Sequence, residues 1–192
     1  MTPIRAICVF LTLICFASCT KENLKTIKPS NSLPVPSIKA QEMLVNDLGL
    51  SDLKAVLKTV HGNIVFKFYP QKAPDTVTRV VQLIQNNFYN DLIFHRVENN
   101  YLIQTGDPTG SGKGGSGYKL KAEFNNIPHT RGIIAMARAS DPDSADSQFY
   151  FSLGTLTHLD GKHTVFGRVI EGEDLLNKIT LGDKILSLTL EK

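Results

Sequence analysis

The chain has 192 residues, of which 42% are hydrophobic, and 21 Lys and Arg against 18 Asp and Glu leave a net charge of +3. That charge is too small and too scattered for a nucleic-acid binder, while the apolar content suffices to bury a core. All three cysteines, Cys8, Cys15 and Cys19, lie in the first nineteen residues, so the remainder can form no disulfide, thiolate nucleophile or cysteine metal site.

Arg5 precedes the uncharged apolar run Ala6 to Ala17, which is too short to span a bilayer as a mature helix and reads as a secretory signal over residues 1–18. Phe16-Ala-Ser-Cys19 resembles the lipobox of bacterial lipoproteins, with Phe16 in place of the usual aliphatic residue. Lipidation of Cys19 is the preferred reading over plain secretion, because a lone mature cysteine in an oxidising compartment is a liability. The expectation is an exported lipoprotein, anchored to a membrane surface on the periplasmic or outer face of a bacterial envelope. Residues 19–40, polar and carrying Pro29, Pro34 and Pro36, are expected to form a flexible tether. Residues 41–192 remain as one domain.

Leu53–Val60 and Ile64–Tyr69 alternate around His61-Gly62-Asn63 and predict a β-hairpin. Val77, Val80, Val81 and Ile84 fall at i, i+3, i+4 and i+7 after Pro74 and Asp75, which predicts an amphipathic helix ending near Asn86-Asn87. Further strands are expected at Leu92–Val97, Tyr101–Thr105, Gly132–Ala137, Gln148–Leu153, Thr164–Val169 and Lys184–Leu190, with a short helix over Glu173–Ile179. Many short strands between Gly, Asn and Asp turns, with two helices, predict a mainly β protein built as a closed barrel.

Gly112, Gly114 and Gly117 formally match a dinucleotide fingerprint, but Tyr118 to Phe124 alternates like a strand where the phosphate-binding helix should begin. A P-loop fails as well, since Gly114 follows Lys113 where Ser or Thr belongs. No serine sits in a nucleophile elbow, and the spacing of His61, His95, His129, His158 and His163 favours no triad. His158 and His163 lack a third ligand, and Asp160-Gly161 between two apolar runs has hairpin-turn chemistry, so no metal site is expected. In Ile93-Phe-His-Arg-Val97, strict alternation places His95 with Ile93 and Val97, and Arg96 on the face of Phe94. An arginine on an apolar strand face ordinarily pairs with a carboxylate or reaches out to water.

Ile93-Phe-His-Arg-Val97, Tyr101-Leu-Ile-Gln-Thr-Gly-Asp107, the glycine loop, Gly132-Ile-Ile-Ala-Met-Ala-Arg138, Ser147-Gln-Phe-Tyr-Phe151 and Leu159-Asp-Gly-Lys-His-Thr-Val-Phe-Gly167 follow one another in a telling order. From Leu53 to Lys192 the chain resembles cyclophilin-type peptidyl-prolyl isomerases. The resemblance implies an eight-stranded antiparallel β-barrel capped by two α-helices, acting on proline-containing polypeptides without a cofactor, and a monomer is expected. It makes Arg96 the catalytic arginine and Gln104 the glutamine that orients it. Tyr101, Leu102, Phe149, Tyr150, Leu159 and His163 then surround the proline pocket. Ala137 and Arg138 match the pair whose backbone holds an extended peptide, Gln148 lines the same groove, and the glycine loop lies beside it.

Tyr101 and Tyr150 stand where the family has phenylalanine, and an unpartnered buried hydroxyl costs about 1–3 kcal/mol, so reduced activity or altered preference is expected. His158 replaces the tryptophan that binds cyclosporin, which implies weak inhibition by that drug. The other reading compatible with the resemblance is a proline-binding chaperone or adhesion module with little turnover; retention of both Arg96 and Gln104 favours the enzyme.

Overall fold

The structure, a computed structural model, describes residues 49, 50 and 52–192. The signal, Cys19 and the tether lie outside the described residues. The described residues form eight strands: β1 (Lys54–Thr59), β2 (Gly62–Phe68), β3 (Arg96–Glu98), β4 (Leu102–Thr105), β5 (Ile133–Met136), β6 (Phe149–Ser152), β7 (Val165–Glu171) and β8 (Ser187–Glu191). They form one sheet in the order β3-β4-β6-β5-β7-β2-β1-β8, with every pairing antiparallel.

The sheet is open, which corrects the closed barrel expected from the strand pattern. β3 and β8 are its two ends, and no ladder joins them. The segments ahead of them approach instead, through an isolated bridge between Ile93 and Lys184 and backbone bonds such as Phe94 N–H to Asp183 O at 2.8 Å and Ile185 N–H to Leu92 O at 2.9 Å. These bonds lie ahead of both strands, which leaves β3 and β8 unpaired with each other. β6 and β7 are not a hairpin either, because β5 lies between them.

The single α-helix among the described residues, α1 (Pro74–Gln85), buries Val77, Val80, Val81, Leu83 and Ile84 along one stripe and packs against β8. Pro74 suits the first helical position, where no N–H partner is needed. Ala73 offers no capping side chain. The Glu123 carboxylate supplies the acceptors from across the fold, taking the N–H groups of Asp75 at 3.0 Å and Thr76 at 2.8 Å. The second expected helix is a 3-10 helix, Glu173–Lys178, a form suited to pieces this short.

Alternation along the strands creates two apolar layers. Ile103, Ile134, Met136, Phe149 and Phe151 point inward and join Leu57, Ile64, Phe66, Phe94 and Phe166 in the main core. Phe149 meets Tyr89, Phe151 and Phe166 edge-on at centroid distances of 5.4, 5.7 and 6.0 Å. Leu102, Ile133, Ala135, Tyr150 and Val165 gather in a second, smaller cluster, on the opposite side of β4, β5 and β6.

Candidate active site

Register brings the outer-face residues together. Arg96 on β3 stands opposite Gln104 on β4, Gln104 opposite Tyr150 on β6, and Tyr150 opposite Ala135 on β5. Directly opposed residues on one face lie close enough for their side chains to interact. The expectation that Arg96 shares a face with Phe94 is corrected here: Phe94 and Val97 both pack into the core, while Arg96 is exposed. The chain through Phe94 and His95 is bonded to the loop at Gly182 and Asp183 rather than held in a strand ladder, so the alternation skips a residue.

A hydrogen-bonded row runs from the arginine to the glycine loop. Arg96 Nη1 donates to Gln104 Oε1 at 3.4 Å, Gln104 Nε2 to Gln148 Oε1 at 2.8 Å, and Gln148 Nε2 to the Gly114 carbonyl at 2.8 Å. Beside this row a hollow of about 430 Å³ is lined by Gln104, Gly112 to Gly115, Ala137, Arg138 and Gln148, among others.

No helix follows the glycine loop, as its sequence predicts, and Asp107 accounts for its shape. That carboxylate accepts from the Thr109 N–H at 2.7 Å, the Thr109 hydroxyl at 2.8 Å and the Gly112 N–H at 2.6 Å. Burial by itself would raise the Asp107 pKa, but these donors, with Gly114 N–H, outweigh it and hold the group at about 2. A Cβ at Gly114 would collide with Asp107, and one at Gly106, where φ is +88°, with the Ser147 carbonyl. Close approach and a left-handed backbone, not phosphate binding, require these glycines.

Leu102 and Tyr150 belong to the apolar cluster on this face, with Tyr101, Ala137 and Leu159 packed against it, and the Tyr101 ring lies beside the Arg96 guanidinium. The His163 ring meets Tyr150 edge-on at 5.7 Å, and its Nδ1 lies 3.2 Å from the Met136 carbonyl. Burial lowers the His163 pKa and favours the neutral ring. The structure thus gathers Arg96, Gln104, Tyr101, Leu102, Gln148, Tyr150, Leu159 and His163.

Phe149 does not belong with them. As the neighbour of Tyr150 in a strand it faces the opposite way, into the main core. Ala137 borders the groove, but its N–H donates to the Gln148 carbonyl at 2.9 Å and is committed within the protein. The Arg138 guanidinium bonds the carbonyls of Lys162, Ala139 and Ser140 and lies over the Phe124 ring.

Both tyrosine hydroxyls have partners, which removes the penalty anticipated from the sequence. Tyr101 Oη is 3.0 Å from His158 Nε2, with the two rings stacked within 6° of parallel. Tyr150 Oη is 3.0 Å from Nε2 of the buried His129, whose Nδ1 is 2.9 Å from Asp160 Oδ1. With Nδ1–H directed at the carboxylate, a neutral His129 presents Nε2 as an acceptor to the hydroxyl. Sequence reasoning missed His129 and Asp160 because their link crosses 31 residues. It also missed Glu98, whose Oε1 accepts from Arg96 Nε at 2.7 Å, although the spacing of two on one strand was a legible signal.

Residues 54–187 match the family described as cyclophilin type peptidyl-prolyl cis-trans isomerase/CLD. A peptidyl-prolyl cis-trans isomerase of Synechococcus elongatus is 40% identical over 71% of this chain and 95% of its own length. Another, from Arabidopsis thaliana, is 43% identical over 68% of this chain, which spans only 27% of that longer protein. Among solved structures, a cyclophilin type isomerase of Cryptosporidium parvum, determined in the presence of the dipeptide Ala-Pro, is 27% identical with a TM-score of 0.68, covering 72% of this chain and 99% of its own.

Proposed function

This chain belongs to the cyclophilin-type peptidyl-prolyl cis-trans isomerases, and from that premise we propose that it turns X-Pro bonds of exported polypeptides through Arg96 while tethered to a membrane by a lipidated Cys19. Rotation about a peptide bond faces a barrier of about 18–20 kcal/mol, because the nitrogen lone pair is delocalised into the carbonyl. No covalent intermediate is needed to lower it. The slot of Leu102, Tyr150, Leu159 and His163 grips the proline ring, and Arg96 donates a hydrogen bond to the prolyl nitrogen as it pyramidalises. That bond is stronger in the twisted state than in either planar one, so it lowers the barrier.

Gln104 orients the guanidinium on one side, and Gln148 fixes Gln104. The observation that carries this reading is the row Arg96–Gln104–Gln148–Gly114 on the same sheet face as the apolar cluster of Leu102 and Tyr150. The Cryptosporidium parvum relative solved with Ala-Pro supports proline-containing substrates. Partnering of the two tyrosine hydroxyls removes the main argument for a binding module without turnover.

The reading is tested by cis-to-trans isomerisation of an X-Pro tetrapeptide with wild type and Arg96→Ala, both checked for folding by circular dichroism. Wild type should accelerate the reaction well above background, and the folded variant should lose most of that acceleration, on the order of 10²-fold. Wild-type rates at background would overturn it. The tether is supported by Phe16-Ala-Ser-Cys19 and is tested by labelled fatty-acid incorporation. Label should enter wild type and disappear in Cys19→Ser; equal label in both removes the anchor.

A further inference from the structure

We infer that Glu98 is a positioning residue for the catalytic arginine, an inference that rests on the isomerase reading of Arg96. β3 is the end strand of the sheet and pairs only with β4. Its three residues place Arg96 and Glu98 on the outer face and Val97 on the core side. Glu98 Oε1 takes the Arg96 Nε–H at 2.7 Å, and Nη2 lies 2.7 Å from the same oxygen. One carboxylate oxygen therefore holds the whole Nε–Nη2 edge of the guanidinium.

Gln104 reaches the opposite side, at Nη1, and at 3.4 Å it is the weaker of the two restraints. The Tyr101 ring adds a cation–π contact, with its centroid 5.7 Å from the guanidinium carbon. Held this way, the planar cation keeps the remaining donors of Nη1 and Nη2 for a substrate nitrogen. An arginine left 43% exposed on an end strand would otherwise spread over many rotamers, and ordering it would slow every turnover. The expected contribution is on the order of two- to ten-fold in rate, the range for immobilising one rotamer-rich side chain.

Because the pair is exposed, it adds little to folding stability and is open to salt screening. Its signature is therefore in kcat. The experiment measures kcat, KM and Tm for the full chain, solubilised in mild detergent, on an uncharged X-Pro tetrapeptide. Wild type, Glu98→Ala, Glu98→Gln and Arg96→Ala are compared. Glu98→Ala should lower kcat by about two- to ten-fold while KM and Tm stay as in wild type. Glu98→Gln should recover part of the loss, since its amide oxygen still accepts from Nε. Raising salt from about 0.05 to about 1 M should narrow the gap between wild type and Glu98→Ala, because screening weakens only the charged pair.

A kcat for Glu98→Ala equal to or above wild type, or a loss confined to KM, overturns the inference. If Arg96→Ala is dead while Glu98→Ala matches wild type, positioning by Glu98 fails and the isomerase reading stands. If folded wild type is itself inactive, both fail.

Discussion

The inner and outer faces of β4, β5 and β6 are made from alternate residues of the same three strands, and both are largely buried. Ile103, Ile134, Met136, Phe149 and Phe151 on the inner face are all apolar. On the outer face, Gln104 bonds Arg96 and Gln148, and Tyr150 bonds His129, beside the apolar Leu102 and Ala135. Burial does not separate core from site here. What separates them is that Gln104 and Tyr150 on the outer face are aimed at polar partners, so this face carries polarity at little cost to the sheet, with the buried Ser152 hydroxyl as the exception.

Phe149→Ala tests the inner face and should have the largest effect on folding. Removing an aromatic ring from a closed-packed core costs about 3–5 kcal/mol. Urea denaturation should show that loss, and activity per folded molecule should stay far above that of Arg96→Ala. A cost below about 1 kcal/mol would break the contrast, because Phe149 would then behave as a rim residue.

The two tyrosines sharpen the comparison within the outer face. Tyr150→Phe leaves Nε2 of the buried His129 without its hydroxyl, which should cost about 1–3 kcal/mol in the same denaturation experiment. Tyr101→Phe removes a hydroxyl from the half-exposed pair with His158, where water can replace it, and should cost less than about 0.5 kcal/mol. Equal losses in the two variants would show that the Asp160–His129–Tyr150 chain adds nothing beyond an ordinary surface hydrogen bond.

Much of the site was legible before any coordinates, because its motifs are contiguous. The sequence around Arg96, Gln104, Gln148 and Tyr150 carried the family resemblance, and strand alternation was enough to place Leu102 and Gln104 together. Applied to Ser147-Gln-Phe-Tyr-Phe151, the same alternation separates Phe149 from Tyr150; placing both in the pocket followed the motif instead of the period. At Arg96 the period misleads instead, because strict alternation does not hold through Phe94 and His95, where the backbone leaves the ladder.

Periodicity and turn chemistry along the chain determined the hairpin of β1 and β2, the apolar stripe of α1 and the mainly β character, because each depends on neighbours within a few residues. Tertiary structure alone decided that the sheet stays open between β3 and β8, that Glu123 caps α1, and that His129 and Asp160 satisfy Tyr150. Those outcomes depend on groups tens of residues apart meeting at hydrogen-bond distance, and local sequence period carries no information about such meetings.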